Sequence, residues 1–557
     1  MKWWEKAVIY QIYPKSFADA NGDGIGDLKG VLTKLDYLSE LGVDAIWLTP
    51  VYCSPQRDNG YDISDYIQID PLFGTMEDFD QLLSAAHKKG IKIIMDIVVN
   101  HTSDEHSWFK KALADSDSPY RDYYIFKDGK EGGAPNNWTS FFGGSAWKQA
   151  PDGQYYLHLF DESQPDLNWE NESLRQELYE MMRYWLEKGV DGFRLDVINL
   201  ISKEQSFADD ASDATSKGKS SFVHGPRLHE YLREMNHEVF APYQAMTVGE
   251  MMSMTPELAV DYTKQEHEEL DMVFMFNHMQ VDQEGEKWNV KPFDFIQLKT
   301  ILSEWQVKLL EHGCSNALYW SNHDQPRVLS RFGDEGECRI QSAKMLATAL
   351  HMLSGTPYIY QGEEIGMTNA HFDSLSDYRD VETFNIYEER KAKGMPHEAI
   401  MKGIKAMSRD NSRTPMQWDD TEHAGFTAGD PWIRAMDNYQ EINVENALND
   451  PDSIFYHYQT LIRLRKELEV ISTGNYIPLH LDHPSVWAYA RINSKEAVVV
   501  VNNFYKEETD FIIPFELLPK LKNPQIILSN EKQSPLPGES GKLHLKPYES
   551  IVYQYER

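Results

Sequence analysis

Gly192-Phe-Arg-Leu-Asp-Val197 is a short apolar run that ends on an acid. Thr247-Val-Gly-Glu250 and Trp320-Ser-Asn-His-Asp324 repeat the pattern, so Asp196, Glu250 and Asp324 each close a strand-like segment. A carboxylate at the end of a buried strand is a costly structural choice, because it gives up hydration. One such acid could simply cap a helix or pair with an arginine. Three in one chain point to chemistry, and to a fold that gathers strand ends together. In a barrel of parallel strands all carboxyl ends open on one mouth, where active sites sit.

The flanking sequence agrees with a barrel. Ala7–Tyr13 reads as a strand, and Leu28, Val31, Leu32, Leu35, Leu38 and Leu41 fall on one helical face before Gly42. Ala45–Leu48 is a second strand. Thr75 with Asp78 caps a helix whose stripe is Phe79, Leu82, Leu83 and Ala86, and Ile91–Val99 is a third strand. The alternation then stops: residues 101–171 are aromatic, glycine-rich and polar, too long for a plain loop, and read as a small inserted domain over the mouth. A helix at Glu172–Lys188 and strands at 192–197, 246–250, 272–276, 316–321 and 357–360 complete eight strands. The expected fold is α/β, a (β/α)8 barrel over 1–100 and 172–474. From 475 to 557, runs such as Val486–Arg491, Ala497–Asn502 and Ser550–Tyr555 predict a carboxy-terminal antiparallel β-sandwich. Lys217-Gly-Lys-Ser-Ser221 reads as the most flexible loop.

The chain has 557 residues, 41% of them hydrophobic, and a formal net charge of −34. That acidity argues against a nucleic-acid partner and offers no polybasic membrane anchor. No apolar run is long enough to span a bilayer, and the amino terminus has no cleavable apolar segment. Cys53, Cys314 and Cys338 are scattered, without a Cys-x-x-Cys pair, which fits a reducing cytoplasm. The expected protein is a cytoplasmic monomer acting on a small molecule.

Glycoside hydrolysis with retention needs two carboxyls roughly 5–5.5 Å apart, one a nucleophile and one a proton donor that later acts as base. Neighbouring strands four and five, carrying Asp196 and Glu250, could supply them. Arg194 shares a strand face with Asp196 and would keep it ionised. Glu250 has no basic sequence neighbour and is followed by Met251 and Met252, an apolar setting suited to a general acid. The rival use of clustered acids, with His101 and His323 as metal ligands, lacks any His-x-His or His-x-x-x-His spacing. The role of Asp324 does not follow from its chemistry alone.

Four ordered blocks, Asp96-Ile-Val-Val-Asn-His101, Gly192–Val197, Gly249-Glu250 and Asn322-His-Asp324, with Gln164-Pro-Asp-Leu-Asn168, resemble the α-amylase superfamily of glycoside hydrolases over nearly the whole chain. The resemblance implies Asp196 as nucleophile, Glu250 as acid/base, Asp324 as the residue that binds and distorts the sugar, and His101, His323 and Arg194 as its supports. No cofactor is needed for that chemistry. Asn59-Gly-Tyr-Asp62 and Ser408-Arg-Asp-Asn-Ser-Arg-Thr-Pro-Met-Gln-Trp418 are similar to the oligo-1,6-glucosidase group. There Asp62 and Arg413 would pair on the 4- and 6-hydroxyls of a terminal glucose and Tyr61 would stack on its ring, making the enzyme exo-acting.

Asp19-Ala-Asn-Gly-Asp-Gly-Ile-Gly-Asp27 places oxygen ligands at alternate positions, with Asp19, Asn21, Asp23, Ile25 and Asp27 as candidates. Position twelve is Gly30, so the acidic ligand of a full calcium loop is missing, and a turn that binds nothing fits the pattern equally well. The family resemblance implies a structural calcium ion here. Phe193–Lys203, Met246–Met251, Ala343–Ala349 and Tyr378–Thr383 further resemble the branch that cleaves α,α-trehalose 6-phosphate into glucose and glucose 6-phosphate. The alternative is an α-glucosidase for isomaltose-type oligosaccharides. A phosphorylated disaccharide needs cations at the mouth; Lys287 and Lys291 are the candidates, with Lys203, Lys217, Lys219 and Arg227 behind them.

Overall fold

The computed structural model describes residues 2–214, 216–514, 516–517, 522–538 and 540–556, so the domain bounds at Met1 and Arg557 lie just outside the described residues. Eight strands close a parallel barrel: β1 (Ile9–Ile12), β2 (Ala45–Leu48), β3 (Lys92–Val98), β4 (Gly192–Asp196), β5 (Met246–Glu250), β6 (Met272–Phe274), β7 (Ala317–Tyr319) and β8 (Thr356–Tyr360), with β8 paired back to β1. Almost every position on these strands is buried, which is why they read as continuous apolar runs and not as alternating ones. The Thr75 and Asp78 capping box forms as expected, with the Asp78 N–H 3.2 Å from the threonine hydroxyl and the Thr75 N–H 2.9 Å from the aspartate. The helical stripe after β1 forms as two helices, Leu28–Thr33 and Leu35–Leu41, parted at Lys34. Strands six and seven are shorter than expected. Asp324 therefore sits on a loop, five residues past β7, instead of at a strand end.

The segment after β3 forms a three-stranded sheet, ordered Phe126–Lys127, Tyr155–Leu157 and Trp147–Gln149. Its core joins Trp138, Trp147, Leu157 and Phe160 to Val197, Leu200, Phe207 and Phe222 from the segment that follows β4. The Lys217–Ser221 stretch belongs to this packing. Lys217 exchanges bonds with Thr139, and Gly218, at φ +89°, lies so close to Trp138 that a Cβ there would come within 2.5 Å of the indole. Lys217 and Gly218 thus pack against the insertion, while Lys219 and Ser220 stay exposed.

The carboxy-terminal residues form a five-stranded antiparallel sheet, β9 (Asn475–Leu479), β10 (Val486–Ile492), β11 (Glu496–Asn503), β15 (Ser550–Glu556) and β13 (Lys522–Ser529) in that order. It faces a two-stranded sheet of β12 (Thr509–Ile512) and β14 (Lys542–Leu545). Side-chain alternation decides what each face covers. Val486, Ala488 and Ala490 enter the sandwich core, whereas Trp487 and Tyr489 enter the core of the barrel. The Tyr489 hydroxyl donates to the Ala349 carbonyl at 2.8 Å and Lys299 Nζ to the Val486 carbonyl at 3.0 Å, so two polar side chains tie the sandwich to the barrel. Among the described residues no helix is long and apolar enough to cross a membrane.

Glu363 and Glu364, just after β8, are buried on the outside of the barrel. Tyr10 and Tyr37 both donate to Glu364 at 2.6 Å, and Tyr458 donates to Glu363 at 2.8 Å. Burial pushes the Glu363 carboxyl from 4.5 up to about 8, against the Tyr458 donor. A raised carboxyl stabilises the fold fully below its unfolded pKa, and that contribution is lost as pH rises toward the folded value. Glu363→Gln should therefore gain on the native chain at about 1 kcal/mol per pH unit between roughly pH 5 and 8, then level off. Melting temperatures of both chains across that window measure the difference, and parallel curves would refute the assignment.

Candidate active site

The site grows from β4. Arg194 and Asp196, two residues apart, both face the barrel interior, and register sets Arg194 beside Asp96 on β3 and Leu195 beside Gly249 on β5. Arg194 Nη1 lies 2.8 Å from Asp96 and 2.6 Å from Asp196, while Nη2 lies 2.6 Å from Glu250. One guanidinium thus serves three carboxyls. This corrects the expectation of an apolar setting without a cation for Glu250: barrel closure brings it to Arg194, a contact that spacing along one strand does not reveal. Burial pushes the Asp196 carboxyl well above its usual range; Arg194 opposes this, and Glu250 and Asp96 reinforce it. With three acids to one cation, the cluster retains a proton.

Val197, directly after Asp196, is held at φ +36°, a left-handed conformation that a β-branched residue rarely adopts. The kink turns its N–H toward Glu250 Oε2 at 3.2 Å. Val197 and Met252 also line the cavity, giving Glu250 apolar neighbours beside its arginine.

Asp324 closes the other wall. Arg413 Nη2 is 2.7 Å from it, His323 Nε2 3.0 Å and Arg409 Nη1 3.4 Å. Burial raises its pKa, but the His323, Arg409 and Arg413 donors outweigh it and hold the carboxyl well below the usual range. Gln11 donates to His323 Nδ1 at 2.8 Å, leaving Nε2 to face Asp324 and the Tyr61 hydroxyl at 2.6 Å. Tyr61 stacks on His323 and donates to Asp96 at 2.9 Å, linking both walls in one network. His101 lines the cavity, and burial lowers its pKa to about 4, so it is neutral near pH 7.

Several expectations are revised. No ion pair joins Asp62 to Arg413. Asp62 accepts from the Arg57 and Asp58 N–H groups and the Ser54 hydroxyl, all within its own turn, and Arg413 turns to Asp324. Asp58 lies on the cavity instead, 3.2 Å from Arg409, and burial pushes it up to about 6. Of the six cations suggested for an anionic substrate, Lys287 lines the cavity, where it pairs with Glu382 at 2.5 Å. Lys291 is exposed and off the cavity wall. Lys203 is buried against Asp166 and Asn100, Lys217 reaches the Ser212 carbonyl, and Arg227 is tied to Glu170 and Glu230. Lys219 is exposed beside Phe141, 5.5 Å from a ring that lines the cavity.

Sequence reasoning missed Arg409, which has Asp380 at 2.6 Å, Asp58 at 3.2 Å, Asp324 at 3.4 Å and Glu382 at 3.5 Å. The first arginine of Ser408–Trp418 was the available signal. In the Asp19–Asp27 loop, Asp19 accepts from the Asn21, Gly22 and Gly24 N–H groups, and Asp27 caps the next helix through Gly30. Its donors are all oxygens, the kind a hard cation takes. Among the described residues, however, no group of three or more His, Cys, Asp or Glu could hold a metal ion, so Asn21 and the Ile25 carbonyl would have to complete a shell.

Two carboxyls on adjacent strands, one shared arginine and a third acid across a cavity of about 250 Å³ define a glycoside hydrolase site. The chain belongs to the α-amylase family: residues 11–474 match the family described as alpha amylase, catalytic domain, and residues 486–552 match the alpha-amylase SusG C-terminal domain. It is 55% identical to the trehalose-6-phosphate hydrolase of Bacillus subtilis (strain 168), covering 99% of this chain and 98% of that one. It is 53% identical to an oligo-1,6-glucosidase of Bacillus cereus, covering 99% of each. The crystal structure of Bacillus licheniformis trehalose-6-phosphate hydrolase superposes with a TM-score of 0.95 at 56% identity, over 100% of both chains.

Proposed function

We propose that this glycoside hydrolase cleaves α,α-trehalose 6-phosphate to glucose and glucose 6-phosphate. Asp196 attacks the anomeric carbon as Glu250 protonates the departing glycosidic oxygen, which leaves a glucosyl ester on Asp196. Glu250, now a carboxylate, takes a proton from water, the water attacks the same carbon, and the ester bond breaks with net retention. Asp324, kept ionised, holds the sugar's hydroxyls, with His101, His323 and Tyr61 around them.

The observation that carries the substrate choice is a cation at the mouth of an otherwise acidic protein: half-buried Lys287 on the cavity wall. The test is a product assay expecting equimolar glucose and glucose 6-phosphate. The kcat/KM for trehalose 6-phosphate should exceed that for isomaltose on the order of a hundredfold. Preference for isomaltose would favour the second reading, an oligo-1,6-glucosidase, which the Bacillus cereus relative and the neutralising Glu382 support.

The remaining parts of the reading are a monomer in the cytoplasm, in keeping with three free cysteines, and a structural calcium ion in the Asp19–Asp27 loop. The ion would be held by Asp19, Asn21, Asp23, the Ile25 carbonyl and Asp27, whose three acids would have to draw closer together than they stand here, and would stiffen the segment leading into the Leu28–Thr33 helix. Chelation should lower the melting temperature by several degrees, reversed by calcium and absent in Asp23→Ala. An EDTA-insensitive melting curve would mean that the loop is only a turn.

A further inference from the structure

Counting charges at the outer wall exposes a problem for any anionic substrate. Arg409, Arg413 and Lys287 stand against Asp58, Asp324, Asp380 and Glu382. Arg409 already has all four of those acids within 4 Å, and Arg413 is committed to Asp324. Among the described residues Lys287 has one acidic ion-pair partner, Glu382, 2.5 Å away. A dianion brought beside this wall would meet net negative charge unless one acid withdrew, because like charges at close range strongly disfavour each other.

Glu382 is the acid placed to withdraw. Asp380, by contrast, is fully buried and fixed by Arg409 at 2.6 Å. Glu382 lies on the first turn of the Val381–Ala392 helix, lines the cavity and is part exposed, so its side chain can swing to solvent without breaking the backbone. Lys287 need not follow. Its ammonium lies 4.7 Å from the centre of the Trp288 ring, a cation–π contact that keeps it at the wall when the carboxylate leaves.

We infer that Glu382 is a specificity-determining latch. It neutralises Lys287 in the free enzyme and gives it up to the phosphate of a 6-phosphorylated aglycone, so the pair, not a lone lysine, sets the preference over neutral sugars. This rests on the phosphorylated-substrate reading above, and it adds that the anion must displace a resident carboxylate. Freeing the lysine should then tighten anion binding and leave neutral ligands little affected.

The experiment measures inhibition of p-nitrophenyl α-D-glucoside hydrolysis by glucose 6-phosphate and by glucose, in the native chain, Glu382→Gln, Lys287→Met and the double variant. The expected result is a glucose 6-phosphate inhibition constant about five- to tenfold lower in Glu382→Gln and at least about tenfold higher in Lys287→Met, with glucose shifted less than about twofold. In the double variant the benefit of Glu382→Gln should vanish. Circular dichroism confirms folding of each chain, and Glu382→Asp, shorter by one methylene, should fall between native and Gln. If Glu382→Gln leaves the glucose 6-phosphate constant unchanged while trehalose 6-phosphate remains the preferred substrate, the latch is refuted and the substrate reading stands. A benefit that persists in the Lys287→Met background also refutes it, by assigning the effect to Arg409. If the native enzyme binds glucose 6-phosphate no better than glucose and prefers isomaltose, the substrate reading itself fails.

Discussion

Asp196→Ala should lower kcat on p-nitrophenyl α-D-glucoside on the order of 10⁵-fold, and azide should restore turnover with β-glucosyl azide as product. The magnitude follows from removing the only group that forms the covalent bond, since loss of a nucleophile costs about as much as loss of the whole catalytic unit. The product follows from geometry: azide enters the space left by the carboxylate and attacks from that face, inverting the α-glucoside. Glu250→Ala should cost less, about 10²- to 10⁴-fold, as removal of an acid/base does. p-Nitrophenolate leaves without protonation, so the loss falls mainly on hydrolysis of the glucosyl ester. Azide then attacks that ester and gives α-glucosyl azide. The two anomers, read by NMR, assign nucleophile and acid/base separately. The same anomer from both variants would overturn the assignment.

Arg194→Met should be both inactive and less stable. Arg194 is buried and bonded to Asp96, Asp196 and Glu250, so its removal leaves three acids around an apolar side chain. Breaking a buried ion pair from one side costs about 3–5 kcal/mol, because the surviving charge has no partner. The acids can relieve this by binding protons, so the deficit should shrink as pH falls toward 5, the reverse of an acid-labile salt bridge. Activity should fall at least about 10³-fold, since a protonated Asp196 is no nucleophile. Denaturant unfolding and turnover measured from pH 5 to 8 check both parts. Stability equal to the native chain across that range would show that the cluster does not depend on its cation.

The strand-end acids Asp196 and Glu250 were legible because strand periodicity and an unexpected charge are both local signals. Asp324 was legible as an acid but not as a strand end, since β7 stops at Tyr319 and a loop carries it into the site. The same signal has a false positive. Glu363 and Glu364 also follow an apolar strand, yet they face outward onto tyrosines and serve the fold. Local sequence does not tell which side of a strand end an acid will face. Arg409 was illegible for a different reason: its four partners come from residues 58, 324, 380 and 382, a set assembled only by tertiary packing. The Asp62 and Arg413 pairing failed likewise, because each found a nearer partner: the turn's own N–H groups and Asp324.

Lys287 rides on the Gln283–Val290 hairpin, a two-stranded ribbon whose strands, among the described residues, pair only with each other. Glu382, its partner, begins a helix that is likewise no part of the barrel wall. On the latch proposed above, the parts that break the bond and the parts that choose the leaving sugar occupy separate elements. Exchange of a few residues on a ribbon and a helix can redirect such an enzyme to another glucoside without disturbing the arginine-centred cluster. Descent within this lineage would then conserve the reaction while substrates drift, as relatives at 55% and 53% identity with different named activities illustrate.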